Sequence, residues 1–349
     1  MVKFSKVILI FLIAGCVHVD MLFDKIVRSV TNIGECYDMA FGITSGNVKG
    51  DTTQYVYVGD ESGYLYEFKW DGKKWKKSVL MCAEGGIVEL KIFSLRNKAC
   101  LYAGSYDGNV YEFEWDNGWK KSIVLSTYGV IWGLEIGDAR GDGKMRLYAI
   151  SSEGIIYEIE WNGAYWQEDT VGTQFYPIWG LTLGDARGDG KSRLYTVNSM
   201  GEIYEYEWNG TEWIGNEIGY VAWDGERICI ADRGDGKPRI YVAGYYGLYE
   251  FEWNTTGWSK TYIKKISDAN DVIAMNIGGE NALLVSDSQG LLHLLKYDGE
   301  WNVEDIEISD RSVKRLTATG QKIFASCFDH CVYEIIFKDI HQEIEVAGK

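Results

Sequence analysis

Proline is almost absent, two residues in 349, which excludes a Pro-rich linker or polyproline segment. Histidine is nearly as scarce. His18, His293, His330 and His341 are the full set, and no two stand at metal-ligand spacing. The chain lacks a GxSxG elbow, an HExxH helix, a P-loop and a CxxC pair, so no familiar constellation for hydrolysis, phosphate binding or zinc is written into it. Positive charge is also short. Thirty-five Lys and Arg face 51 Asp and Glu, for a net charge of −16. A polyanion binder needs a basic footprint, so nucleic acid is excluded as a partner. Carboxylates are so common that no acid/base pair stands out from them.

What the chain does contain is glycine (41), tyrosine (24) and tryptophan (14), the composition of many strands joined by tight turns. The stretch WGLEIGDARGDGKMRLYAISSEGIIYEIEW at 132–161 returns at 179–208 with 21 of 30 positions identical. A third copy ends at Trp253. Fainter ones end at Trp70 and Trp115, and degenerate ones at Tyr297 and Phe337. The anchors lie 45, 46, 47, 45, 44 and 40 residues apart. Seven units of this period, each made of short alternating runs, predict an all-β chain. The expected architecture is a seven-bladed β-propeller with four antiparallel strands per blade, filling 23–349 as one domain.

The unit ending at Trp161 shows the expected blade. An apolar inner strand spans 131–136, a loop 137–144, a second strand 146–151 and a third strand 155–161. An Asn-Gly turn then leads to an outer strand at 166–171. In the third strand Tyr157, Ile159 and Trp161 share one face, read as packing between blades. Glu158 and Glu160 share the other, read as a solvated face. The last unit ends after its third strand, so residues 24–30 are expected to supply its fourth and close the ring.

The loops GDARGDGKMRLY, GDARGDGKSRLY and ADRGDGKPRIY resemble the calcium loop of FG-GAP/VCBS-type propeller repeats, and YVGDESGYLYEF is similar to PQQ-type repeats. The first resemblance implies a Ca²⁺ site, with Asp138, Asp142, Asp185, Asp189 and Asp235 at ligand places. But Arg140, Arg187 and Arg233 occupy the third place, Lys49 holds it in the first unit, and Arg146, Arg193 and Arg239 occupy the ninth. A guanidinium only donates hydrogen bonds and cannot ligate a cation. The expectation is a metal-free loop in which Arg140, Arg187 and Arg233 pair with Asp142, Asp189 and Asp235, and no cofactor.

The first residues read as an export signal: Lys3 and Lys6, a short apolar run at 7–14, then Ile-Ala-Gly-Cys. That run is too brief to span a bilayer. The tetrapeptide resembles a bacterial lipobox, which implies a signal at 1–16, lipidation of Cys16 and a tether at 17–22. An ordinary secretory signal is the alternative. Cys327 and Cys331 flank a hairpin turn and are read either as facing one another or as buried thiols.

The functional expectation is an exported, non-catalytic, monomeric propeller at the cell envelope, binding a protein or glycan; the alternative is a polysaccharide lyase or hydrolase using funnel carboxylates. The connections into the inner strands of blades three to five carry Tyr128 and Trp132, Phe175, Tyr176 and Trp179, then Tyr220 and Trp223. The corresponding connections elsewhere carry only Tyr37. This predicts an aromatic mouth at one end of the channel, with Tyr128, Trp132, Tyr176, Trp179, Tyr220 and Trp223 as its binding residues. Trp132 and Trp179, in the repeated Trp-Gly-Leu, are alternatively read as inner-strand core.

Overall fold

A computed structural model describes residues 27–94 and 98–337. The expected signal, Cys16 and the tether lie outside these residues. Among those described there are 28 strands and no helix. They form seven four-stranded antiparallel sheets, in which six are simple meanders from the inner to the outer strand. The seventh is completed from the other end of the chain: Val27–Glu35 pairs antiparallel with Cys331–Phe337. This is the expected seam, displaced toward the C-terminus. The closing strand runs beyond Val30 to Glu35 because Ile33 is the residue of this strand that reaches the core.

Blade three illustrates why the repeats fold as they do. Its strands are Ile131–Gly137, Arg146–Ser151, Ile155–Trp161 and Trp166–Thr173. Register between the second and third strands sets Leu147 opposite Ile159 and Tyr148 opposite Glu158. The hairpin to the outer strand is clasped by Trp161 opposite Trp166, with ring centroids 5.3 Å apart. The same clasp recurs as Trp70–Trp75, Trp115–Trp119, Trp208–Trp213, Trp253–Trp258 and Tyr297–Trp301. Such cross-strand aromatic pairs hold a short hairpin in register.

The core lies between blades. One cluster joins Tyr148 and Ile150 of blade three to Leu181, Leu194 and Tyr206 of blade four. Across each interface a second-strand aromatic meets the outer-strand Trp of the next blade edge-on: Tyr57 with Trp119, Tyr102 with Trp166, Tyr148 with Trp213, Tyr195 with Trp258, Tyr241 with Trp301, and Phe324 with Trp75. Blade six against seven is the exception. Leu284 and Leu294 stand there in place of the Tyr and Glu, inside a largely aliphatic cluster that includes Phe337.

The acidic stripe of the third strand is not a solvated face. Glu67, Glu112, Glu158, Glu205, Glu250 and Glu334 are all buried, because the neighbouring blade covers that side. Tyr102, Tyr195 and Tyr241 each donate to their facing Glu at 2.9 Å, and Tyr148 does so at 3.3 Å. A second donor set arrives from the loop of the same blade. Arg140 Nε meets Glu158 at 3.0 Å, Arg187 Nε meets Glu205 at 2.9 Å, and Arg233 Nη1 meets Glu250 at 3.1 Å. Lys49 does the same to Glu67 at 2.6 Å. Each cation also lies over a ring of the following blade: Trp208, Trp253, Tyr297 and Trp115, at 4.0, 4.1, 4.1 and 4.4 Å. A buried carboxylate is tolerated only when paired and hydrogen-bonded, and this arrangement does both while tying blade to blade.

Candidate functional site

Strand direction sorts the loops onto two ends of the ring. The turns between second and third strands are hydrogen-bonded to the connections entering the inner strands: Ser152 N to Val130 O at 2.9 Å, Ser199 N to Pro177 O at 2.9 Å and Tyr245 N to Asp224 O at 3.1 Å. These define an upper end. The Asp-Gly loops and the Trp-clasped turns therefore lie at the lower end.

At the lower end the Arg and Asp groups find partners other than those expected. Asp142 is gripped by Arg146, with Nη1–Oδ1 at 2.8 Å and Nη2–Oδ2 at 2.7 Å. Arg193 and Arg239 grip Asp189 and Asp235 in the same way. Arg140 and Arg187 are committed to the buried Glu, and only Arg233 also touches its Asp, at 3.3 Å. The reason is reach. The chain turns at Gly143, φ 82°, so the later Arg, at the start of the second strand, reaches back onto the carboxylate as a flat, two-pronged pair. Asp138 accepts from the amides of Gly141 and Gly143, both at 2.7 Å, and these glycines adopt φ of 69° and 82°. Asp232, which the sequence reading passed over, plays that part in blade five.

Hydrogen bonds from Arg146, Arg193 and Arg239 hold the carboxyls of Asp142, Asp189 and Asp235 below the usual range. The stability they lend is therefore present above that range and is lost only as pH falls through the depressed values. Among the described residues no group of three His, Cys, Asp or Glu is placed to hold a metal. Added Ca²⁺ or chelator is expected to leave the melting temperature unchanged, since the loop oxygens are occupied by donors. A calcium-dependent rise in a thermal scan would overturn this.

At the upper end aromatics from blades seven, one, two and three line one side of the channel. Phe41, buried, contacts Tyr106 at 6.2 Å, Phe328 at 5.8 Å and Trp132 at 6.5 Å, and Tyr106 meets Trp132 edge-on at 5.5 Å. Trp132 is thus a half-buried wall of the channel mouth. Trp179 and Tyr176 are also half-buried; the Trp179 carbonyl accepts from Arg227 at 3.1 Å.

The other expected residues stand in solvent. Tyr128 is fully exposed, and Phe175, beside Tyr176 at 5.0 Å, is 91% exposed. Tyr220 and Trp223 are 61% and 63% exposed. Lys260 lies over the Tyr220 ring at 4.3 Å. Among the described residues no ring contact joins Tyr128 to Tyr176 or Tyr176 to Tyr220, so each connection presents its own aromatic. The structure adds Tyr245 and Tyr246, half-exposed and edge-on at 5.0 Å. Their turn is bonded to the Trp223 loop. The sequence signal for them is the Tyr-Tyr pair before Gly247, the only one of these turns with two adjacent aromatics among the described residues.

The backbone under this patch is strained. Trp223 and Asp224 both take positive φ, 50° and 46°, a region costly for bulky side chains. Such strain costs on the order of 1–3 kcal/mol per residue and gathers at functional sites. Asp224 is braced by its N–H to Ser199 O at 3.2 Å. Its carboxyl is pushed up, first by burial and then by Glu226 and Asp268.

The channel itself holds a cavity of about 240 Å³. Its carboxylates are engaged. Glu89 pairs with Arg227 at 2.7 Å and Glu135 with Lys91 at 2.9 Å. Asp271 accepts from the Leu316 amide at 2.8 Å and the Val272 amide at 2.9 Å. These are the groups on which a funnel enzyme would draw for acid/base work. The six described cysteines are all free thiols, Cys327 and Cys331 both buried. Burial pushes the Cys327 thiol up, which makes it inert.

No family model matches the chain, and no curated protein matches it. Solved structures do. It is similar to a chain of the mitotic checkpoint complex, with 14% identity, TM-score 0.66 and coverage of 96% of this chain and 99% of that one. BBS1N in complex with ARL6DN gives 14% identity and TM-score 0.66 over 90% and 97%. The WD40 β-propeller domain of Doa1 gives 10% and 0.65 over 88% and 95%. At these identities the likeness shows the fold: the chain is a seven-bladed β-propeller.

Proposed function

We propose that the protein is a non-catalytic interaction module that docks a protein partner on its upper end. The observation that carries this reading is Trp223, exposed on a strained backbone with Tyr220, Tyr245 and Tyr246 close by in the same blade connections. Grouped exposed aromatics are the usual anchors of a protein interface, and loops on a rigid scaffold are where such anchors sit. Two of the similar propellers are themselves parts of protein complexes. The resemblance of the lower loops to FG-GAP/VCBS repeats belongs to the same reading, as does a monomeric ring.

The test is the double variant Tyr220→Ala, Trp223→Ala. Both side chains are in solvent, so the melting temperature should hold. Binding to partners captured by the parent from envelope extracts should weaken by roughly 30-fold or more, the size of a hot-spot loss. Retained binding would place the interface elsewhere. Binding to envelope glycans, lost in the same variant, would assign the rings to sugar stacking instead.

Location at the envelope, through a lipid on Cys16, completes the proposal. One acyl chain alone anchors weakly, so a multi-chain attachment is required. Cys16→Ser should release the protein to the soluble fraction; continued partition with membranes would reject the anchor.

A further inference from the structure

Within the channel one cation differs from the rest. Lys91 and Arg227 have carboxylate partners, but Arg315 has none within ion-pair distance among the described residues. Arg315 is 6% exposed and lines the cavity. Its Nη1 donates to the carbonyls of Asn270 and Lys314, at 3.2 and 2.9 Å, and the guanidinium lies 5.2 Å from the Phe41 ring centre. Its Nε is buried with no hydrogen-bond partner. A buried charged donor left unmet is costly.

Beside it stands Lys314, also deeply set, 3.5 Å from Glu226 and 3.1 Å from the Asn270 side-chain oxygen. The cavity volume equals that of about eight liquid waters, too small for a polymer and ample for a small acid. We propose that the channel is a binding site for a small oxyanion, a carboxylate or phosphate group, held by the guanidinium of Arg315, which lines the cavity, with Lys314 adding charge nearby. An oxyanion supplies the counter-charge that this guanidinium lacks. Burial, followed by the like charge of Arg227, pulls the Arg315 guanidinium down to about 10, in keeping with a cation short of counter-charge.

Asp271 shares the cavity and opposes the anion's charge, while its oxygens are turned to backbone amides. Two variants of opposite sign follow. Arg315→Met removes the donor. Asp271→Asn removes the negative charge but keeps an oxygen for the Leu316 amide.

The experiment is a thermal and calorimetric titration of the whole protein. Sodium acetate and sodium phosphate are each compared with sodium chloride at matched ionic strength. The parent should be stabilised saturably by acetate, phosphate or both, and the arm that saturates at lower concentration identifies the class. Arg315→Met should show no such stabilisation. Asp271→Asn should bind roughly tenfold more tightly, the scale of one removed charge at a few ångströms in a partly buried site. No saturable effect in the parent, or an equal effect in Arg315→Met, overturns the site. If Arg315→Met does not fold, Asp271→Asn decides: unchanged affinity overturns the proposal.

Discussion

Removing the first strand, residues 27–35, should unfold the ring under conditions where the parent is fully native. The deletion takes away seven ladder pairs with Cys331–Phe337 and the burial of Ile33. At about 1 kcal/mol for each hydrogen bond and about 2 kcal/mol for the side chain, the loss is roughly 5–10 kcal/mol. That is comparable to the whole stability of an ordinary domain. The exposed third strand would also present a long unpaired edge, a template for aggregation. Denaturant unfolding and sedimentation of the truncated chain are the measurements. A truncated ring that melts like the parent would falsify closure through this strand.

The second large effect is expected at Glu205, 1% exposed and bonded by Arg187 and Tyr195. Glu205→Ala should cost about 3–5 kcal/mol, because the Tyr195 hydroxyl is then left buried and the half-buried Arg187 loses its carboxylate. The paired change Glu205→Leu, Arg187→Met should recover most of that loss. Apolar groups of similar volume replace both charges, and the Met can still lie on Trp253. Midpoints of chemical denaturation measure both. A Glu205→Ala protein within 1 kcal/mol of the parent would show that the carboxylate network contributes little.

These two expectations mark how far the sequence could be read. The fold was legible because the third strand carries its own signature, Tyr, Glu, an apolar or aromatic residue, a charge and Trp in five units, at a spacing of 45 to 47 residues. The closing strand was legible from a count of strands, though its bounds were not, since pairing with the last blade selects the residues that engage. The Glu stripe was misread for a physical reason. Period-two alternation reports that two faces differ, not what covers them, and here the next blade covers the acidic one. Spacing likewise mis-assigned Arg140 and Arg187, though Arg233 does touch Asp235. Arg140 stands two positions before Asp142, but the four-position step to Arg146 is what the geometry uses. The channel could not be read at all. Arg227 and Glu89 are 138 positions apart, and only closure of the ring brings them together.

At the aromatic end, residue type and place in the repeat located the connections that reach one end of the ring. They did not settle whether Trp132 is inner-strand core or a binding residue; it is a half-buried wall of the mouth, while Trp223 stands in solvent. Nor did they show the strain beneath Trp223, which lies in the backbone and leaves no mark in composition.

The closing strand also sets which way the molecule points. Val27 faces Phe337 at the start of the ladder, and Glu35 faces Cys331 at its far end. Outer strands rise from the lower end to the upper, so the chain enters and leaves the ring side by side at the bottom. Whatever is joined to either side of the ring, a lipid, a neighbouring domain or a fusion partner, hangs from the charged loops. Trp223 and its neighbours then look directly away from the point of attachment, like the bowl of a flower on its stalk.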